Sequence, residues 1–336
     1  MDVGIVGGSG YGGAELLRLL AGHSTLKVRT VAAGSAAGKG LAEVFPHLGM
    51  TGTLAPSTPA ALDGCDLVFL ATPHAVSLEL APSLLDQGAT VVDLSGAFRL
   101  RPDAFTEWYG LAHTAPELTP AVYGLPELFR DHIVGADLIA GPGCYPTATL
   151  LALAPLVGLV DPASVTVVGM SGSSGAGKGL RDDLHVSHAI GNTGAYAAPR
   201  HRHTPEIEAQ WERLTGTASP VSFTPHLVPQ VRGMVVTLNA TITEQPGDVR
   251  QAYRDHYDTE PFVTLLPEDT WPQSTHVIGA NTAHVGVAVD ERTGRVTASC
   301  AIDNLTKGAA GQALQAANVA LGLPEGEGLP TMAVYP

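Results

Sequence analysis

A glycine-rich turn between the first strand-like and the first helix-like segments, αβ alternation up to about residue 145, and a strand-rich second half predict a two-domain α/β chain. The first domain is expected to be a Rossmann-type doubly wound parallel sheet, the second an α+β domain with a mostly antiparallel sheet. The expected boundaries are 1–145 and 146–303, with a C-terminal helix over 304–322 packing back on the first domain.

Residues 2–7 (DVGIVG) read as a buried strand and 14–21 as a helix with Leu16, Leu17, Leu19 and Leu20 apolar. Between them Gly7, Gly10 and Gly13 are spaced G-x-x-G-x-x-G, with Ser9 and Tyr11 in the same turn. Such a turn lets a pyrophosphate approach the backbone at a helix N-terminus, so dinucleotide binding is expected here. The next strand, 27–33, ends in Ala33-Gly34-Ser35 without the Asp or Glu that would hold a ribose 2′-hydroxyl. Ser35 and Lys39 can hold a 2′-phosphate instead, which favours NADP(H) over NAD. A strand at 66–71 leads into Thr72-Pro73-His74 and a helix from about Ser77 to Gln87, and a strand at 89–94 leads into Ser95–Leu100. Loops at strand carboxyl ends line the ligand crevice of such sheets, which points to Pro73 and to Arg99, a candidate clamp for an anionic group.

After a strand at 138–140 comes Gly141-Pro142-Gly143-Cys144-Tyr145-Pro146-Thr147, then an apolar helix from about Ala148. Cys144 is expected at or just before the helix start, where free N–H groups and the helix dipole favour a thiolate nucleophile. The competing reading is a buried structural thiol. Cys65 and Cys300 read as core residues. Beyond lie a strand at 164–170, a polar loop over 171–203, strands at 221–225, 234–243, 262–265, 284–290 and 296–302, helices at 204–215 and 246–257, and a last helix over 304–321. Ser171–Gly179 approaches a P-loop, but Gly179 stands where Mg²⁺ coordination needs Ser or Thr. In His201-Arg202-His203-Thr204-Pro205-Glu206, Thr204 suits an N-cap, and either histidine suits an acid/base partner of Cys144. The same cluster is the best metal candidate in the chain, yet it lacks the His-Glu-x-x-His helix of zinc proteases, and no metal is expected.

The 336 residues carry a net charge of −14, with 45% hydrophobic and 15% charged residues. No Lys/Arg cluster marks a nucleic-acid or membrane surface, and no apolar run reaches the roughly 18 residues of a membrane span. Three well-separated cysteines fit a reducing cytoplasmic setting. A thiolate, a histidine and a dinucleotide fold together suggest reduction of an activated acyl group through a thioester.

Ordered blocks then carry a resemblance that runs nearly end to end: 7–16 (GGSGYGGAEL), 70–77 (LATPHAVS), 92–100 (VDLSGAFRL), 123–127 (YGLPE), 141–147 (GPGCYPT), 171–177 (SGSSGAG), 201–207 (HRHTPEI), 225–229 (PHLVP) with Arg232-Gly233, and 303–312 (DNLTKGAAGQ). The chain resembles the N-acetyl-γ-glutamyl-phosphate reductases of arginine biosynthesis, in the wider group of aspartate-semialdehyde dehydrogenase. The resemblance implies NADPH as reductant, a small-molecule acyl phosphate as substrate, Cys144 as nucleophile and a histidine of the 201/203 pair, here taken as His201, as acid/base. It further implies substrate contacts from Arg99, Ser174, Tyr196, His203 and Glu206, Asn281 near the nicotinamide, and a homodimer or homotetramer built through the second domain. The chain departs from that family at Ala97, where an Asp is usual beside Arg99. A carrier-protein-bound aminoadipyl phosphate of lysine biosynthesis is the alternative substrate, and a metal-dependent hydrolase the alternative class if Cys144 is not catalytic.

Overall fold

The computed structural model describes residues 1–243 and 248–335, in two compact units: 1–143 with 309–330, and 144–308 with 331–336. The first unit begins with β1 (Asp2–Val6), α1 (Tyr11–Leu20), β2 (Lys27–Ala33), α2 (Leu41–Val44), β3 (Ala55–Pro56), β4 (Leu67–Leu70) and α3 (His74–Asp86). It continues through β5 (Thr90–Asp93), α4 (Pro102–Tyr109), β6 (Val122–Tyr123), α5 (Pro126–Ile133) and β7 (Leu138–Ala140). The strands form one parallel sheet in the order β3-β2-β1-β4-β5-β7-β6. Leu67–Leu70 is buried throughout, the uninterrupted apolar run that a sheet covered on both faces requires.

The second unit contains α6 (Cys144–Leu153), β8 (Thr166–Ser171), α7 (Val186–Ala189), β9 (Gly194–Ala195), α8 (Thr204–Thr215), β10 (Ser222–Leu227) and β11 (Met234–Thr241). It is completed by α9 (Val249–Tyr257), β12 (Val263–Leu265), β13 (Ala283–Asp290) and β14 (Arg295–Ile302). Its sheet runs β12-β13-β14-β11-β8-β10-β9, with β12–β13 and β8–β10 parallel and the other pairs antiparallel. Alternation places Met234, Val236, Leu238 and Ala240 of β11 in the core. The chain then returns to the first unit as α10 (Gly311–Ala320), every residue of which is buried. Polar side chains on it are paired within that unit: Gln312 donates to the Gly124 carbonyl (3.0 Å), Gln315 to Glu127 (2.8 Å), and Asn318 accepts from His23 Nε2 (3.0 Å).

Several element starts differ from expectation. α1 begins at Tyr11 rather than Ala14, which puts Gly12 and Gly13 in its first turn, and α3 begins at His74 behind Pro73 rather than at Ser77. α6 begins at Cys144 itself. The last helix does not run continuously from Asn304: a π-turn over Thr306–Ala310 precedes α10. α4 and α5, each short and opened by proline, have no counterpart in the expected elements. Within the expected polar loop 171–203 lie 3₁₀ turns, α7 and β9. The start expected for α9 at Pro246 lies outside the described residues; the helix is observed from Val249, with Asp248 accepting from the Gln251 N–H.

Backbone contact at the first turn leaves room for hydrogen only. Gly7 has φ +81°, and a Cβ there would lie 2.1 Å from the Ala71 carbonyl oxygen. Gly7→Ala is therefore expected to cost at least about 1–3 kcal/mol of stability by denaturant unfolding. The control Gly34→Ala, with nothing within 4 Å, should stay close to the parent.

Candidate active site

In the first unit the glycine turn is seated on its neighbours. Gly8 N–H donates to the Ala32 carbonyl at 2.9 Å and Gly10 N–H to that of Gly7 at 3.0 Å. A Cβ on Gly13 would lie 2.6 Å from Gly7 O and from Gly8 Cα. The N-cap, Gly10, is extended and no side chain caps α1, so the first-turn N–H groups are left for an external anion. Ser9 sits in the turn and Tyr11, 40% exposed, opens the helix. At the end of β2, Ser35 and Lys39 are exposed on the turned segment 34–39, and Pro73 is exposed at the N-cap of α3. These residues fit a dinucleotide with a 2′-phosphate: a tight backbone turn in which Gly7, Gly8 and Gly13 have no room for a Cβ, and a hydroxyl and an ammonium where a carboxylate would repel.

The neighbouring strand-end loops are tied by two buried charges. The Asp93 carboxylate accepts from Ser77 Oγ (2.7 Å), Ser95 N (3.1 Å) and Ser95 Oγ (2.8 Å), and burial still pushes its pKa up. Arg99 is not the open clamp that its loop position suggested. It is 6% exposed, with Nε donating to the Gly141 carbonyl at 2.7 Å and Nη2 to that of Leu94 at 2.9 Å. The Arg99 charge counters part of the burial effect on Asp93. Arg99 thus braces the loop three residues ahead of Cys144.

In the second unit Cys144 is the first residue of α6, and residues 145–153 behind it are all buried. Cys65 and Cys300 are buried, whereas Cys144 is half-buried; burial pushes the Cys65 thiol up. An aromatic cluster stands against the next residue. The Tyr145 ring lies edge-on to His201 (5.8 Å), His203 (6.1 Å) and Phe223 (5.1 Å), and its hydroxyl donates to the His226 carbonyl at 3.1 Å. Tyr196, 38% exposed, reaches Tyr145 through its hydroxyl (3.4 Å) and lies 5.5 Å from the His201 ring. Gly169 makes the seat: a Cβ there would lie 2.4 Å from the Tyr145 ring.

The geometry distinguishes the two histidines. His201 is 7% exposed, and its Nδ1 accepts the His203 backbone N–H at 3.2 Å. The neutral ring therefore carries its proton on Nε2. Burial, and secondarily the Arg202 charge, lower its pKa to about 4. His203, half-buried, is the N-cap of α8; Thr204, expected in that place, is the first helical residue, and no side chain caps the helix. Glu206 and Asn281 are fully buried, so neither offers accessible surface to a ligand. Ser174 is also buried, and its Oγ accepts from Asn304 Nδ2 at 2.9 Å. Among the described residues no group of three or more His, Cys, Asp or Glu side chains is set to hold a metal ion. Tyr145 stands in the Gly141–Thr147 motif and Phe223 in the expected strand 221–225, and the sequence assigned neither a site role.

Residues 2–136 match the family described as semialdehyde dehydrogenase, NAD binding domain, and residues 144–304 match semialdehyde dehydrogenase, dimerisation domain. An N-acetyl-γ-glutamyl-phosphate reductase of Desulforudis audaxviator is 45% identical over the whole of both chains. Those of Synechocystis and Brevibacillus brevis are 44% and 45% identical, each aligned over 99% of this chain and over 98% and 99% of their own. Among solved structures, aspartate semialdehyde dehydrogenase II of Vibrio cholerae superposes with a TM-score of 0.74 at 18% identity, covering 95% of this chain and 97% of that one. The aspartate semialdehyde dehydrogenase of Candida albicans with NADP gives 0.71 at 17% identity, covering 95% and 97%. The two structural likenesses establish the fold, and the full-length relatives establish that the chain belongs to the N-acetyl-γ-glutamyl-phosphate reductase family.

Proposed function

We propose that the chain reduces N-acetyl-γ-glutamyl phosphate to the γ-semialdehyde with NADPH, through a thioester on Cys144. The observation that carries this reading is the half-buried thiol at the head of an otherwise buried helix, whose next residue, Tyr145, packs against His201 and His203. The Cys144 thiolate attacks the acyl carbon, the carbon–oxygen bond to phosphate breaks, and phosphate leaves with the proton that the overall reduction consumes. The bound nicotinamide supplies the hydride that reduces the thioester. The resulting thiohemiacetal oxyanion collapses with loss of the carbon–sulfur bond, which frees the aldehyde and restores the thiolate. With Nδ1 taken by the His203 N–H, His201 donates through Nε2–H, so its assigned role is to stabilise the acyl oxygen as negative charge develops there rather than to strip the thiol. Tyr196, Ser174 and His203 are assigned to substrate binding, Glu206 to support from within, and Arg99 to bracing the loop ahead of the nucleophile. The Gly7–Gly13 turn with Ser9 and Tyr11 is assigned to the pyrophosphate, Ser35 and Lys39 to the 2′-phosphate, and Pro73 to the cofactor's other end. The names of the full-length relatives favour the acetylglutamyl substrate over a carrier-bound aminoadipyl one.

The same reading includes a homodimer. On the face of the second sheet opposite α6, register aligns His226, Met170, Val235 and Ala301 in one row and Thr224, Val168, Thr237 and Ser299 in the next. Val168 and Met170 are 38% and 41% exposed. Ala301 and Ser299 at one edge of these rows are already buried, so the open part is Val168 and Met170 with Val235 and Thr237 beside them, uncharged side chains that suit sheet-on-sheet packing with a second copy.

Cys144→Ser should lower phosphate-dependent NADP⁺ reduction by N-acetyl-glutamate semialdehyde, followed at 340 nm, by at least about 10³-fold while leaving NADPH binding intact; near-normal turnover would sink the covalent scheme. Met170→Glu should shift the sedimenting species towards monomer. His201 has its folded pKa depressed to about 4 from an unfolded value of 6.5, so the unfolded chain binds its proton first. Its contribution is therefore present above pH 6.5 and is lost as pH falls from 6.5 to 4, by up to about 3 kcal/mol. Unfolding curves of His201→Gln should fall less steeply than the parent's across that window, although the depressed His256 and His284 leave some slope in both.

A further inference from the structure

The π-turn over Thr306–Ala310 lies against the thiol's own backbone. A Cβ on Gly308 would stand 2.7 Å from Cys144 Cβ and 3.3 Å from its Cα. Gly308 does not have positive φ, so its backbone conformation is open to any residue. In helical backbone glycine is the poorest former after proline, and an alanine would be favoured there on propensity alone. What the missing Cβ would strike is Cys144 and, at 3.3 Å, the Asp303 carbonyl oxygen.

The turn is also anchored with unusual thoroughness. The buried Asp303 carboxylate accepts from Arg232 Nε (2.6 Å), Gly279 N (2.6 Å), Leu305 N (2.8 Å) and Thr306 N (3.0 Å), and its backbone carbonyl accepts from Gly308 N at 2.8 Å. Arg232 Nη2 donates in turn to Thr306 Oγ1 at 2.8 Å. Lys307, fully buried, sets its ammonium 5.4 Å from the Phe262 ring centroid. Asn304 joins the same segment to the Gly233 N–H (2.7 Å) and to Ser174 Oγ (2.9 Å). Turns with π geometry interrupt helices mostly where function requires it, since their hydrogen bonding is otherwise inferior.

We propose that the Asp303-anchored π-turn is a positioning device for the nucleophile, with Gly308 as the residue that sets the place of Cys144. This rests on Cys144 being the nucleophile. The turn fixes one side of the thiol residue by direct contact, and the carboxylate fixes the turn. A displacement near 1 Å at a reacting atom can cost about 10²-fold in rate.

The test uses the full-length enzyme with NADP⁺, phosphate and N-acetyl-glutamate semialdehyde, and separately measures iodoacetamide alkylation of Cys144 by mass spectrometry without substrate. Gly308→Ala should lower kcat per titrated Cys144 thiol by about 10- to 100-fold, leave the KM for NADP⁺ within about twofold, and change the alkylation rate by at least about threefold. Thr306→Val, which removes the Arg232 bond and leaves Gly308 in place, should move kcat and alkylation in the same direction by a smaller factor and keeps the test open if the alanine variant folds poorly. A purely structural role would lower the melting temperature and the number of active molecules, with the survivors turning over normally. Unchanged kcat per thiol and unchanged alkylation in the folded variants would overturn the proposal. Full activity of Cys144→Ser, by contrast, would overturn the thioester reading itself.

Discussion

Helix α6 can present one thiol because everything behind that thiol is buried. Leu150, Leu151 and Leu153 are fully covered, each contributing roughly 1.5–3 kcal/mol by its removal from water. The far end is held by polar contacts: the Tyr253 hydroxyl donates to the Ala152 carbonyl and that of Tyr257 to the Leu151 carbonyl, groups that a helix C-terminus would otherwise leave unsatisfied. At the near end Tyr145 fills the slot opened by Gly169. The position of Cys144 is thus a result of core packing along three turns of helix, not of the turn that precedes it alone.

The first unit solves a different problem, that of holding several strand-end loops open to a ligand without letting them wander. Loops carry few apolar contacts, so the restraint falls to buried polar groups. Asp93 joins α3, through Ser77, to the loop after β5, and Arg99 joins the loop after β5 to the one after β7. Each charge is desolvated, and each is satisfied by donors or acceptors fixed in backbone or short side chains. Removing one partner would strand the other in the interior.

Local pattern made much of this legible in the sequence. The glycine spacing after β1 indicated its turn, the apolar runs 67–70 and 138–140 are strands, and α8 spans Thr204–Thr215, one residue ahead of the start that Pro205 suggested. What pattern could not reveal depended on contacts distant in sequence. Arg99 looked like a ligand clamp because nothing local says that the Gly141 carbonyl, 42 residues on, will take its Nε proton. Glu206 and Asn281 looked available because burial of a polar side chain is decided by packing. His201 and His203 were equivalent by spacing in the sequence and are told apart in the fold by the Nδ1 bond and the degree of burial. The break before α10 was hidden because a π-turn preserves helical periodicity while shifting it by a residue.

The burial of α6 also bears on how such a scaffold can take up other substrates. A helix with no solvent-facing surface beyond its first residue has no position at which a side chain can be exchanged without disturbing the core. The segment from 177 to 200, by contrast, is largely exposed, with Leu180, Val186 and Ile190 in solvent, and it carries Tyr196 beside the aromatic cluster. New specificity on this architecture therefore has its freedom in that segment, while the place of Cys144 stays fixed by the interior.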